Sequence, residues 1–225
     1  LRASASELSD MSIDVMRAWA PGEALGEAFA ATRKGTVVHY RPPSSSVEQG
    51  AAAAKLMQHE GRAVVFDSVA DMANRIDDPA LDVTEDDVLV MRNAGPIGAP
   101  GMPEAGYIPI PKKLAQKGIK DMVRISDARM SGTAFGTIVL HITPESAVGG
   151  PLALVKNGDM IRLDVAKRSI DLLVDDAELE KRRVALTPAA TPDWARRGYA
   201  HLFNETILQA DEGCDFDFMR GQGKD

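Results

Sequence analysis

Residues Met122–Pro151, MVRISDARMSGTAFGTIVLHITPESAVGGP, decide how this chain is read. The run opens with four largely apolar residues, Met122-Val123-Arg124-Ile125. It breaks into Ser126-Asp127-Ala128-Arg129-Met130-Ser131-Gly132-Thr133, then resumes as a β-rich run from Thr137 to Ile142. That pattern predicts a polar loop slung between two strands. Loops held by a rigid scaffold are where chemistry concentrates. Asp127, Arg129, Ser131 and Thr133 alternate with small or apolar residues, and Gly132 and Gly136 let the backbone approach whatever the hydroxyls face. A Ser-Gly-Thr turn between strands is also commonplace and needs no substrate to explain it. On the loop alone both readings stand.

Outward from this loop, composition bounds the answer. The chain has 225 residues and a net charge of −7. That balance argues against nonspecific binding to nucleic acid or an anionic membrane, while leaving room for an acidic substrate recruited by a local arginine or metal. No apolar run reaches membrane-spanning length, and the start lacks the basic and apolar regions of a signal peptide. Cys214 is the single cysteine, so no internal disulfide framework exists and a reducing, cytoplasmic setting fits.

Taken in order, residues 1–34 carry helical patterning at Met11, Val15, Trp19, Leu25, Ala28 and Phe29, interrupted by Pro21-Gly22. Gly35–Tyr40 reads as a short strand and Arg41–Ser46 as a linker, so residues 1–50 are expected to form an arm or linker ahead of a domain at 51–225. Arg62–Phe66 and Asp86–Arg92 read as strands, with a helix after Ser68, its expected N-cap. The carboxylates of Asp77, Asp78, Asp82, Glu85, Asp86 and Asp87 lack the spacing of a calcium loop and read as a solvated acidic surface. Thr143-Pro144 resembles a helix start ended by Gly149-Gly150. Leu152–Val155, Asn157-Gly158 and Met160–Val165 read as a hairpin. Further on come a strand at Ser169–Val174, a polar helix at Asp175–Arg183, and a longer helix at Asp193–Gln209 burying Trp194, Tyr199, Leu202, Phe203 and Ile207. The four histidines show no metal-ligand spacing.

Three motifs in order, RNAGPIGAPGMPE from Arg92, ISDARMSGTAFGT from Ile125 and HITPESAVGGPLALVKNGDMIRLDV from His141, resemble the C-terminal part of the dihydroxy-acid and sugar-acid dehydratases. The resemblance extends more loosely from about Glu60 to Met219, and the first sixty residues do not share it clearly. It implies an α/β fold: a barrel-like, mixed, largely antiparallel β core flanked by helices, of the swivelling-domain type. It implies a hydro-lyase that dehydrates a 2,3-dihydroxy acid to a 2-keto-3-deoxy acid. By the same resemblance Ser131 is the catalytic base, Glu104 helps hold a divalent cation such as Mg2+, and Thr133 binds the substrate carboxylate.

Asn93-Ala94-Gly95-Pro96 stands where the dihydroxy-acid branch usually has Tyr-Glu-Gly-Pro, which favours a sugar acid such as a pentonate. The second reading is the dihydroxy-acid dehydratase of branched-chain amino-acid synthesis. Family members also carry an iron-sulfur cluster on several N-terminal cysteines, and one cysteine cannot supply those ligands. The expected partners are therefore an N-terminal cluster-bearing region, in cis or in trans, and further copies in a homo-oligomer. Without that region the chain is expected to be inactive, and a noncatalytic or regulatory fragment is the remaining alternative.

Overall fold

The computed structural model describes residues 58–100, 108–129, 137–165, 167, 169–187 and 193–219, together with the backbone of 14–18, 26–30 and 39–40. Its centre is one mixed sheet of seven strands: β3 (His39–Tyr40), β4 (Gln58–Phe66), β5 (Val88–Met91), β6 (Arg124–Ser126), β7 (Ile138–Leu140), β8 (Met160–Asp164) and β9 (Ser169–Leu172). The order across the sheet is β3-β7-β6-β5-β4-β8-β9. The β4–β5, β5–β6 and β6–β7 pairings are parallel, whereas β3–β7, β4–β8 and β8–β9 are antiparallel.

The expectation of a largely antiparallel core is thus corrected. The reason lies in the apolar runs. Ala63-Val64-Val65-Phe66, Val88-Leu89-Val90-Met91 and Ile138-Val139-Leu140 are buried on both faces, as parallel strands covered on two sides must be. Alternate residues feed two cores. Val65, Val88, Val90, Ile125 and Val139 join Ile161 and Leu163 of β8 in one. Phe66, Leu89, Met91 and Met122 pack in the other against Met72 and Ile76, and against Leu114. Residues of β4, β5 and β6 carry the first cluster across the sheet from β7 to β8, and the mixed sheet is curled.

Met72 belongs to helix α1 (Val69–Arg75), whose N-cap is Ser68 as expected: its Oγ accepts from the Asp71 N–H at 3.0 Å. Leu114 lies on the short helix α2 (Lys112–Ala115). The polar helix appears as α3 (Asp176–Ala185), acidic at its start and basic at its end, matching the helix dipole.

Other expectations change. Residues 14–18 (β1) and 26–30 (β2) form an antiparallel pair in place of helices, with Val15 opposite Phe29. Helices that short, on either side of Pro21-Gly22, are marginal without a packed face. The segment at Leu152–Val155 forms no hairpin arm. Pro151–Leu154 is a 3-10 turn, and Asn157 instead turns its Oδ1 to the N–H of Val65 on β4 at 2.7 Å. Thr143 and Pro144 likewise precede a single 3-10 turn at Ser146–Val148, capped by Glu145 and closed by left-handed Gly149. The long C-terminal helix is split into a 3-10 turn at Asp193–Ala195 and α4 (Gly198–Thr206), because Gly198 adopts a φ of +68°. None of α4's residues is buried, and Tyr199 is 72% exposed.

Among the described residues, no helix is long and apolar enough to cross a membrane.

Candidate active site at the carboxyl edge of the parallel strands

Four neighbouring parallel strands deliver their carboxyl ends to one edge of the sheet, and ligands of open α/β sheets bind outside such edges. The loop leaving β5 begins Arg92-Asn93-Ala94-Gly95, the loop leaving β6 begins Asp127-Ala128-Arg129, and the loop leaving β7 contains Glu145-Ser146. Each has to satisfy its backbone without a further strand partner.

Asp127 supplies much of that satisfaction. Its Oδ1 accepts from the N–H of Ala94 at 3.0 Å, and its Oδ2 accepts from the N–H of Asn93 at 3.2 Å and of Ser146 at 2.9 Å. The Ser146 hydroxyl also donates to Oδ2 and accepts from the Asn93 N–H at 2.6 Å. One carboxylate, 1% exposed, therefore ties together the exits of β5, β6 and β7. Hydrogen bonds to an ionised acceptor are the strong kind. Asn93 holds a φ of 59°, a left-handed conformation asparagine tolerates. Arg92 braces the neighbouring strand ends, pairing with Asp67 at 2.6 Å and donating from Nη1 to the carbonyls of Leu152, Ala153 and Val155 at 3.3, 3.2 and 3.0 Å.

A second carboxylate holds the next stretch of the β5 loop. Glu145, fully buried, accepts from the N–H of Ile97 on Oε1 and of Gly98 on Oε2, both at 2.8 Å. Gly95 must be glycine for this to happen, since a Cβ there would lie 2.6 Å from Glu145 Oε2. Burial pushes the Glu145 carboxyl above its ordinary value, opposed by the Gly98 and Ile97 N–H groups.

Glu104, Ser131 and Thr133 lie outside the described residues. What the structure fixes is the roots of the loops that carry them. Glu104 follows Pro100 on the β5 loop, Ser131 and Thr133 follow Arg129 on the β6 loop, and the two roots are joined through Asp127. Asp127 stood out in the sequence only as part of an alternating loop. Asn93 is visible there through the Asn-Ala-Gly-Pro motif, and Glu145 and Ser146 within the motif from His141, but none of the three carries a periodic signal.

The donor set bears on cofactors. Asp127 and Glu145 are committed to N–H donors, so neither offers itself to a cation, and among the described residues no group of three or more His, Cys, Asp or Glu side chains converges to hold a metal ion. An iron-sulfur cluster does not fit the described part of this chain. It needs several thiolates, and the Cys214 thiol is pushed up to about 11 by burial and by the nearby charges of Glu145 and Asp211, so it is neutral near pH 7.

Residues 39–214 match the family model described as the dihydroxy-acid/6-phosphogluconate dehydratase C-terminal domain. The 6-deoxy-6-sulfo-D-gluconate dehydratase of Pseudomonas putida is 51% identical over 179 residues, 80% of this chain and 31% of that protein. The L-arabinonate dehydratase of Rhizobium leguminosarum bv. trifolii is 45% identical over 225 residues, 98% of this chain and 38% of that protein. A dihydroxy-acid dehydratase of Methanothrix thermoacetophila is 39% identical over 173 residues, 76% of this chain and 30% of that protein. The Rhizobium match carries the likeness through the first sixty residues as well, where no family motif stood out. The chain spans about a third of the length of the curated relatives it matches. With more than half its residues matched by that model, this chain belongs to the dihydroxy-acid/6-phosphogluconate dehydratase family, whose C-terminal domain it carries.

Proposed function

We propose that this chain is the C-terminal catalytic portion of a hydro-lyase that dehydrates a 2,3-dihydroxy acid, with a sugar acid such as a pentonate as substrate, to a 2-keto-3-deoxy acid. The observation that carries the reading is the Asp127 carboxylate, which draws the roots of the Glu104 loop and the Ser131 loop to one edge of the sheet. The relatives named for sugar acids, at 51% and 45% identity, support the substrate class over the branched dihydroxy acids, as does Asn93-Ala94-Gly95-Pro96.

In this reading Ser131 Oγ, as an alkoxide, takes the proton from C2. The C–H electron pair becomes the C2–C3 double bond, the C3–O bond breaks, and the departing hydroxide takes a proton from solvent to leave as water. The resulting enol tautomerises to the 2-keto acid. A serine hydroxyl is a poor base, so Ser131 has to sit in a field that lowers its pKa. Thr133 donates to the substrate carboxylate. Glu104 is the one proposed protein carboxylate for a divalent cation such as Mg2+, which typically binds through few carboxylates plus water and substrate oxygens. Bound there, the cation would supply Lewis-acid stabilisation of developing negative charge.

The partners are an N-terminal cluster-bearing portion, in cis or in trans, and further copies in a homo-oligomer, in a cytoplasmic setting consistent with a single cysteine. The curled sheet is taken to be the barrel-like, swivelling-type domain; residues 1–50 are taken as an arm leading into it, except that His39–Tyr40 already pair with β7 as a strand of that sheet, where the family match begins.

The test joins this chain to the N-terminal portion of a relative and follows keto-acid formation from pentonates and from branched dihydroxy acids. Pentonates are expected to react faster, and Ser131→Ala to abolish turnover with the far-UV spectrum unchanged. Turnover of branched acids alone would refute the substrate class. Substantial activity in Ser131→Ala would remove the serine from the base role.

A further inference from the structure

We infer that Gln209, sixty-four residues away in sequence, is a positioning residue that locks Glu145 and through it the loop leading to Glu104. Its side-chain amide engages Glu145 twice. Nε2 donates to Glu145 Oε1 at 2.9 Å, and Oε1 accepts the Glu145 backbone N–H at 2.8 Å. With both ends of the amide engaged, the Glu145 side chain is held in the rotamer that reaches the N–H groups of Ile97 and Gly98.

Gln209 is itself fixed by a tight turn. Its carbonyl accepts from the N–H of Glu212 at 3.0 Å and of Cys214 at 3.1 Å. The N–H of Leu208 donates to Asp215 O at 2.8 Å, and Ile207 bridges Phe216. The C-terminal turn thus presents the Gln209 side chain to the carboxyl edge of the sheet, beside Asp211, whose carboxyl accepts a hydrogen bond from Thr143. A residue that merely packed there would need neither a donor nor an acceptor; Gln209 uses both, on the residue whose carboxylate grips Ile97 and Gly98 of the β5 loop. That the gripped loop serves a cation at Glu104 rests on the proposed function; that Gln209 grips it does not.

The test is amide hydrogen exchange on the full chain, comparing the parent with Gln209→Met, which keeps length and apolar bulk and removes both hydrogen bonds. Exchange at Ile97 and Gly98 is expected to rise about tenfold, the equivalent of one lost hydrogen bond, with the strands Val88–Met91 and Ile138–Leu140 unchanged. No rise at Ile97 and Gly98, or an equal rise in the strands, would overturn the inference. In the enzyme assembled with a relative's N-terminal portion, the Mg2+ concentration giving half activity is expected to rise roughly tenfold in Gln209→Met, the scale for loss of a supporting group behind a ligand. Because exchange needs neither substrate nor cation, a positive exchange result with no dehydratase activity would sink the proposed function and leave the positioning role standing.

Discussion

The carboxyl edge of the parallel strands and the C-terminal segment from Gly198 to Met219 are built on opposite terms. At the edge, polar groups are buried and answered. Asp127 is 1% exposed and Glu145 fully buried, and between them they accept from the backbone N–H groups of five residues: Asn93, Ala94, Ile97, Gly98 and Ser146. In the C-terminal segment apolar groups are displayed. Tyr199, Phe203, Phe216 and Phe218 run in sequence with ring centroids 6.4, 5.9 and 5.4 Å apart, and the outer two are 72% and 62% exposed. The first region draws its order from hydrogen bonds to two buried carboxylates. The second has its order from local turns and contributes to the first through Gln209.

If that contrast is right, the largest effect comes from unbalancing the edge. Asp127→Asn keeps the shape but removes the charge and one acceptor, and sets an NH2 group against N–H donors. Leaving buried donors unanswered costs about 1–3 kcal/mol each. Denaturant unfolding is expected to show a loss of about 3 kcal/mol or more. A loss below about 1 kcal/mol would mean that water takes the place of the carboxylate, and that the edge is less sealed than its burial implies.

A smaller, pH-dependent effect is expected at Glu145. Its folded pKa is raised by burial, so the folded state holds the proton more tightly than the unfolded chain. Stability attributable to the protonated group is therefore complete below the unfolded value, near 4.3, and declines as pH climbs through the raised folded value. Glu145→Gln cannot titrate. Subtracting the variant's stability from the parent's at each pH cancels the other carboxylates, and the difference is expected to fall with rising pH across that window. A flat difference would show that the three donors from Ile97, Gly98 and Gln209 offset the burial completely.

The same contrast separates what the sequence discloses from what it conceals. Arg62–Phe66, Val88–Met91, the Ser68 cap and the acid-to-base order of Asp176–Ala185 are local patterns, and each appears where it is expected. The pairing of those strands was hidden, because a short apolar run looks the same whether it is buried beside a parallel or an antiparallel neighbour. The side chains that organise the edge were hidden for a different reason. Asp127 meets Ala94 across 33 residues and Glu145 meets Gln209 across 64, and no spacing rule connects such pairs. The C-terminal aromatics misled in the other direction. Their helical spacing suggested burial, yet a helix pattern shows which face would pack and says nothing of whether this chain provides the surface to pack against.

The smallest expected effect tests that last point. Phe218 stacks on Phe216 with an interplanar angle of 9° and is 62% exposed, so Phe218→Ala removes one stacking contact and little buried area. An aromatic pair contributes about 0.5–1.5 kcal/mol beyond its area, and surface changes away from special features stay near 0.5 kcal/mol. The thermal midpoint of the full chain is therefore expected to move by only a few degrees, with the exchange of Ile97 and Gly98 unaltered. A shift comparable to that of Asp127→Asn would mean that the aromatic row is packed against another part of the chain. The two regions would then be held by the same means, burial, and the contrast between them would be lost.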